Sequence, residues 1–356
     1  VILRCTALGL IVILSAAAGF GCGSSNRSNS SAGDPTGAPA FARQEPFVTR
    51  PFRPVLGDRW IGDAINYGPH RDGQHPGGPS PSREELRQDL ELMLKHWNLL
   101  RVYQAAGVSE ELVKLIHEDR LDMRVVLGIW IKPEDRRDAD GRVLEELPLA
   151  RAANRQEIEA GIRLAKAYPH IVIALIVGSE SQIYWSDHRV PTPLLIGYLR
   201  EVRARSEVPV TTADDFNFWN KPESLPVARE IDLVFLHAHP LWNGVQLEDA
   251  LDWAEKTYRD IQAHHPGHLV VYGETGWATQ KHNVGEQATL IKGQPGEAEQ
   301  QRFHDAVTAW CRRERITTFF FEAFDENWKG GSHPDEVEKH WGLYRADRTP
   351  KPALGN

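Results

Sequence analysis

Short apolar, β-branched runs alternate along this chain with longer stretches of amphipathic helical period, from about residue 55 to the end. The apolar runs predict strands over 60–66, 99–103, 123–129, 171–177, 208–213, 233–237, 269–272 and 317–321. Unbroken apolarity is what a parallel strand covered on both faces requires. Between the runs the spacing predicts helices over 83–96, 110–119, 155–168, 194–206, 247–264 and 297–315, several entered through Ser, Thr or Pro. After the fifth strand the helical signal is poor. Repeated βα units with short connections imply a parallel sheet with right-handed crossovers, and eight strands are the number that closes a barrel. The fold class is therefore α/β, a (β/α)8 TIM barrel in one domain. An open doubly wound sheet is disfavoured because no Gly-rich dinucleotide turn or phosphate loop follows an early strand.

Two of the apolar runs end in a carboxylate. Val270-Val271-Tyr272-Gly273 leads into Glu274-Thr275-Gly276-Trp277, and the run from Ile171 to Val177 leads through Gly178 and Ser179 into Glu180. In a barrel these lie at the carboxyl ends of the fourth and seventh strands, the face on which such barrels hold their chemistry. A pair of surface glutamates is the plain alternative, but a Glu that directly continues an apolar strand is costly unless it has partners or work. Two strand-end glutamates are what glycoside hydrolysis needs, one as acid and base, the other as nucleophile or water activator. Tyr67, Tyr103, Trp130, Trp242 and Trp277 all fall at or just past predicted carboxyl ends. Such a ring either packs in the rim or offers a platform to sugar, and Tyr67, Tyr103 and Trp277 are the platforms expected. His237, His239, His264 and His265 show no zinc-motif spacing, and His264 and His265 point apart as helix neighbours. No metal and no cofactor are assigned.

Composition narrows the partners. The 356 residues are 41% apolar and 25% charged, which suits one large core and excludes a disordered or fibrous chain. A net charge of -8 argues against nucleic acid, whose recognition needs clustered Lys and Arg, and favours a neutral polymer such as a glucan. Eleven Trp exceed what a core of this size needs, in keeping with a sugar site.

The amino-terminal stretch reads as three parts. Residues 1–21 carry a cation at Arg4, an apolar run from Ala7 to Phe20 and small residues before Cys22, a secretory signal too short to be a membrane span. Cys22 then opens a Ser-, Gly- and Pro-rich tract, so 22–54 is expected to be a flexible linker with a lipid on Cys22, as in bacterial lipoproteins, and 55–356 the barrel. The expected location is the cell envelope, or the periplasm or exterior if the signal is simply cleaved, with membrane contact only through the lipid. Past Cys22 only Cys311 remains, so a disulfide framework is excluded and Cys311 is expected as a buried apolar residue.

The stretches Val177-Gly178-Ser179-Glu180, Gly273-Glu274-Thr275-Gly276-Trp277 and Phe324-Asp325-Glu326-Asn327-Trp328-Lys329 resemble glycoside hydrolase family 17, the β-1,3-glucanase family of retaining (β/α)8 enzymes. The likeness runs from Asn66-Tyr67-Gly68 through Arg101-Val102-Tyr103 to Glu338-Lys339-His340-Trp341-Gly342-Leu343-Tyr344. It implies that Glu180 is the general acid/base and Glu274 the nucleophile, and that Glu326, Lys329 and Glu338 hold the acid's environment and bind sugar hydroxyls. A surface ion-pair cluster is the plain reading of those three. Lys329 is the expected moderator of the carboxylate pair. Two departures stand out: Ser179 replaces the Asn that normally precedes the acid, and Ala278 replaces a Pro. A shorter Ser leaves a contact to the sugar 2-hydroxyl to a bridging water, or to Asn66 or His239 reaching in. The resemblance implies a monomeric enzyme acting on β-glucan polysaccharide or oligosaccharide, with a glucanosyltransferase or a non-catalytic glucan-binding surface protein as alternatives.

Overall fold

The computed structural model describes residues 41–138 and 140–355; the expected signal segment and Cys22 lie outside them. Eight parallel strands close a barrel in chain order: β1 (Asp63–Asn66), β2 (Leu99–Val102), β3 (Arg124–Ile129), β4 (Val172–Ser179), β5 (Val210–Asp215), β6 (Leu233–His237), β7 (Leu269–Thr275) and β8 (Thr318–Phe320). The longer helices around it are α1 (Arg83–Met93), α2 (Val108–Glu118), α3 (Pro148–Ala167), α4 (Thr192–Arg205), α5 (Ala250–His264) and α6 (Glu297–Glu314). Every predicted strand and helix is present, with shifted ends. α1 begins where Ser82 and Glu85 form a reciprocal capping box. α3 begins earlier than its periodicity indicates, because Pro148 at its first position suits a helix start. The weak signal after the fifth strand corresponds to two four-residue helices, Phe216–Trp219 and Leu225–Ala228.

Side chains divide by the two-residue period of each strand. On β3, Val125, Leu127 and Ile129 join the apolar layer under the helices, whereas Val126 faces the barrel interior with Ala64, Leu99, Ile176, Phe235, Val271 and Phe319. Cys311 on α6 is buried in the outer layer, and burial pushes its thiol up to about 12.

Three differences from the sequence reading have local causes. The first apolar run divides, with Arg59–Trp60 pairing antiparallel to Val55–Leu56 and the barrel strand starting at Asp63. A hairpin of Asp135–Arg137 and Val143–Glu146, polar and without apolar period, stands between β3 and α3. The tract 41–54, expected as flexible linker, is docked on the barrel. Phe47 lies 4.0 Å beneath the Arg203 guanidinium, and Arg50 donates to the Val208 and Arg203 carbonyls at 3.1 and 2.8 Å and to Asp232 through its backbone N–H at 2.6 Å. Low apolar content concealed this, since the docking is made of arginine bonds.

Candidate active site

Along the inward faces of the strands the apolar layer gives way, two residues on, to a polar one. Ala64 is followed by Asn66, Leu99 by Arg101 and Phe235 by His237. Gly273 occupies the matching place on β7, where a Cβ would collide with the Phe235 ring. The ladder between β6 and β7 shifts register here and pairs His237 with Glu274, so the carboxylate, one step out of phase, turns into the mouth. On β4 a similar irregularity precedes Ser179, and Glu180 follows with φ 49° after Gly178 at φ 76°. A non-glycine residue in the left-handed region carries of order 1–3 kcal/mol of strain, a kind of cost concentrated at functional sites.

Glu274 is almost wholly enclosed. Its Oε1 accepts from Arg101 at 2.7 Å and from the Tyr103 hydroxyl at 3.1 Å, and its Oε2 lies 3.3 Å from His239 Nε2. Burial works to raise its pKa, but His237, Arg101 and His239 outweigh burial and hold the carboxyl well below the usual range. Arg101, itself 1% exposed, also donates to Ser179 Oγ at 3.0 Å and to Asn66 Oδ1 at 3.3 Å. One of its N–H groups lies 2.9 Å from His237 Nε2. A guanidinium can only donate, so His237 Nε2 accepts and its Nδ1–H donates to Glu180 Oε1 at 3.1 Å. Burial pushes the His237 pKa down, so the ring is neutral in this role near neutral pH and adds positive charge beside Glu274 only where low pH protonates it. Beneath the Glu180 turn, Asp214 accepts the backbone N–H groups of Gln182, Ile183 and Asp215. Its own burial, and then Glu180, push its pKa well up.

Glu180, His237 and Glu274 each present a ligand-capable atom within 4.8 Å of the others, the one such trio among the described residues. The Arg101 guanidinium already lies against the Glu274 and His237 members, supplying positive charge there.

The remaining expected residues divide. Tyr103 reaches the site through its hydroxyl, while Arg101 lies 4.6 Å over its ring. Tyr67 is no platform: it is 1% exposed and donates to Asp89 at 3.0 Å. Trp277 is fully buried, its ring against Phe303 and its Nε1 donating to the Gln294 carbonyl at 2.9 Å. Lys329, the expected moderator of the Glu180 and Glu274 pair, is paired with two other glutamates. Its ammonium lies 2.6 Å from both Glu322 oxygens and 2.8 Å from Glu326. Glu322 and Glu326 are fully buried, yet their pKa values part. Burial and the Glu326 charge push Glu322 well up, whereas Lys329, His70 and Trp328 overcome burial and hold Glu326 down at about 2. Glu338 accepts from Trp242 Nε1 at 2.9 Å. Asn66 is committed to the Gly273, Phe319 and Phe320 carbonyls and so does not make the compensating reach toward sugar suggested for Ser179, whereas His239 faces Glu274.

Arg101, His237 and Glu322 are not identified as site residues from sequence. Arg101 had a signal, a charge inside Leu99-Leu100-Arg101-Val102, and Glu322 repeats the pattern of a Glu directly after an apolar strand. His237 enters the sequence reading only as a possible metal ligand, and His239 also as a side chain reaching toward the sugar in place of Ser179.

Comparison with known proteins bears on the fold and the family. Residues 64–342 match the BtgE/BtgC glycoside hydrolase domain. A glucan 1,3-beta-glucosidase of Arthroderma benhamiae is 28% identical over 298 residues, 78% of this chain and 86% of that protein. An endo-laminarinase from Formosa Hel1_33_131 superposes with a TM-score of 0.69 at 23% identity, covering 83% of this chain and 87% of that one, which speaks to the fold. A glycoside hydrolase family 17 beta-1,3-glucanosyltransferase from Rhizomucor miehei superposes at 0.62 with 25% identity, covering 82% and 96%. The match spans most of the chain, and this protein belongs to the BtgE/BtgC glycoside hydrolase domain family.

Proposed function

We propose that the protein is a retaining glycosidase of β-1,3-glucan, with Glu274 as nucleophile and Glu180 as general acid/base. The observation that carries this reading is that one oxygen of each carboxylate lies within 4.8 Å of one on the other. Retaining enzymes keep their carboxyl groups about 5–5.5 Å apart, whereas inverting enzymes leave about 6.5–9.5 Å for a water. Glu274, held ionised by Arg101, attacks the anomeric carbon and forms the covalent glycosyl-enzyme as Glu180 gives its proton to the departing sugar oxygen. Glu180 then takes a proton from the incoming water, which attacks the same carbon, breaks its bond to Glu274, releases that carboxylate and restores the β configuration. His237 holds Glu180 in place through its Nδ1–H.

A sugar hydroxyl in place of that water would make the same residues a glucanosyltransferase, the activity named for the Rhizomucor miehei relative. Incubation with laminari-oligosaccharides, with products resolved by size and anomer over time, separates the outcomes. β-Configured first products support the reading, longer products mark transfer, and α-configured first products would refute the double displacement.

The signal-like 1–21 stretch and Cys22 extend the proposal to an exported protein held at the cell envelope by lipid. The wild type is then expected in the membrane fraction and Cys22→Ser outside it; a wild type wholly soluble after signal removal would leave simple export.

A further inference from the structure

We propose that Trp130, backed by His188, is a stacking platform for the sugar unit on the leaving-group and acceptor side of the scissile bond. This rests on Glu180 being the acid/base. Trp130 follows β3 directly, in the phase of Val126 and Gly128 on its inward face, and so stands at the mouth one layer above them. Its alternates Ile129 and Ile131 are buried in the outer layer. Trp130 itself is half-buried, unlike the fully enclosed Trp277.

Its place is held from behind and below. The backbone N–H of Trp130 donates to Glu157 at 3.2 Å, and the same carboxylate takes the N–H groups of Ala105 and Ala106 at the end of β2. The His188 ring packs against the indole, centroids 4.9 Å apart and tilted by 40°. His188 comes from the loop after β4, and its Nε2 donates at 3.0 Å to the carbonyl of Ser179, the residue before Glu180. The platform and the acid/base are thus fastened to the same turn. An indole held at fixed height, one side covered by an imidazole, suits the apolar C–H face of a pyranose ring. Glu180 protonates the oxygen that departs, so the departing sugar occupies the side of the cleft where its strand, β4, pairs with β3. A sugar bound there is the leaving group in the first step and, when it returns as an acceptor, the nucleophile's carrier in the second.

The test compares two substrates: laminaripentaose, whose leaving group is a sugar, and β-laminaribiosyl fluoride, whose leaving group is too small to stack. The quantity read is the ratio of kcat/KM for the oligosaccharide to kcat/KM for the fluoride, in the wild type, Trp130→Ala, Trp130→Phe and His188→Ala. The ratio is expected to fall about tenfold in Trp130→Ala, to recover partly in Trp130→Phe, and to fall about threefold in His188→Ala. An unchanged ratio in Trp130→Ala would overturn the proposal and leave Trp130 as rim packing. An equal loss on both substrates would overturn it too, by making Trp130 a support for the end of β3. A wild type inactive on both substrates, or activity surviving Glu274→Gln, would instead overturn the underlying reading of the carboxylate pair.

Discussion

Replacing Arg101 by methionine removes a buried cation from the centre of the site and leaves a shorter, unbranched apolar side chain, and the outcome follows from the bonds lost. The guanidinium lies 2.7 Å from Glu274, 2.9 Å from His237 and 3.0 Å from Ser179. Burial alone favours a protonated Glu274, and His237, Arg101 and His239 together reverse that preference. At an effective dielectric of about 20 and a charge separation of about 4 Å, one such cation favours the ionised carboxylate by about 4 kcal/mol, or about three pH units. His237 and His239 remain in the variant, so the acid limb of kcat/KM is expected to move up by between about one and about three pH units. The direction is unambiguous, because Glu274 must be ionised to attack. The wild type stays active until the pH falls through its depressed folded pKa, whereas the variant loses its nucleophile at higher pH. The same linkage applies to stability. The contribution of the depressed Glu274 is present above its unfolded pKa and lost as pH falls through the folded one, and Arg101→Met forfeits most of it. The assay is initial rates on laminaripentaose from about pH 3 to about pH 8, with circular dichroism at each pH. Arg101→Lys is the companion: it keeps a charge near Glu274 and a nearly wild-type acid limb, but its single nitrogen cannot also serve His237 and Ser179, and turnover falls. A folded Arg101→Met enzyme with the wild-type acid limb would refute the claim that Arg101 keeps Glu274 ionised.

Three further outcomes are expected. Glu274→Gln and Glu180→Gln each lower turnover by orders of magnitude with the fold intact, and azide restores turnover of Glu180→Ala on a substrate with a good leaving group, yielding a β-glycosyl azide; an α-azide would contradict the assignment. Tyr67→Phe and Trp277→Leu act on stability rather than on sugar binding. The first loses about 1 kcal/mol with the Asp89 bond and the second about 3 kcal/mol with its ring packing, read as lowered Tm at unchanged KM, and a raised KM would return them to the sugar site. Ser179→Ala removes the acceptor for Arg101 and slows β-1,3-glucan turnover more than Ser179→Asn, which keeps one and stays within about tenfold of wild type; equal, near-wild-type rates would make residue 179 a plain turn residue.

Much of this protein was legible from sequence because the relevant signals are local. An unbroken apolar run such as 171–177 announces a doubly covered strand, eight such runs with helices between them announce a barrel, and a glutamate directly after such a run is conspicuous because carboxylates are otherwise expelled from it. Strand-end position was sufficient to bring Glu180 and Glu274 to one face. What surrounds them was not legible, because it is decided by which strands become neighbours and how their ladders are offset. Arg101, His237 and Glu274 come from β2, β6 and β7 and meet only through barrel closure. The turn of Glu274 into the mouth depends on a register shift between two strands, which no single strand encodes. The aromatics show the same limit. Tyr67, Trp130 and Trp277 occupy equivalent places at strand ends in sequence, yet Tyr67 and Trp277 were drawn into the protein by Asp89 and Phe303 while Trp130 stayed half-buried at the mouth. Residue type and period determine which face a side chain starts from, but whether it ends in the core or beside the substrate depends on the neighbours that close over it, and those are supplied by chain segments distant in sequence.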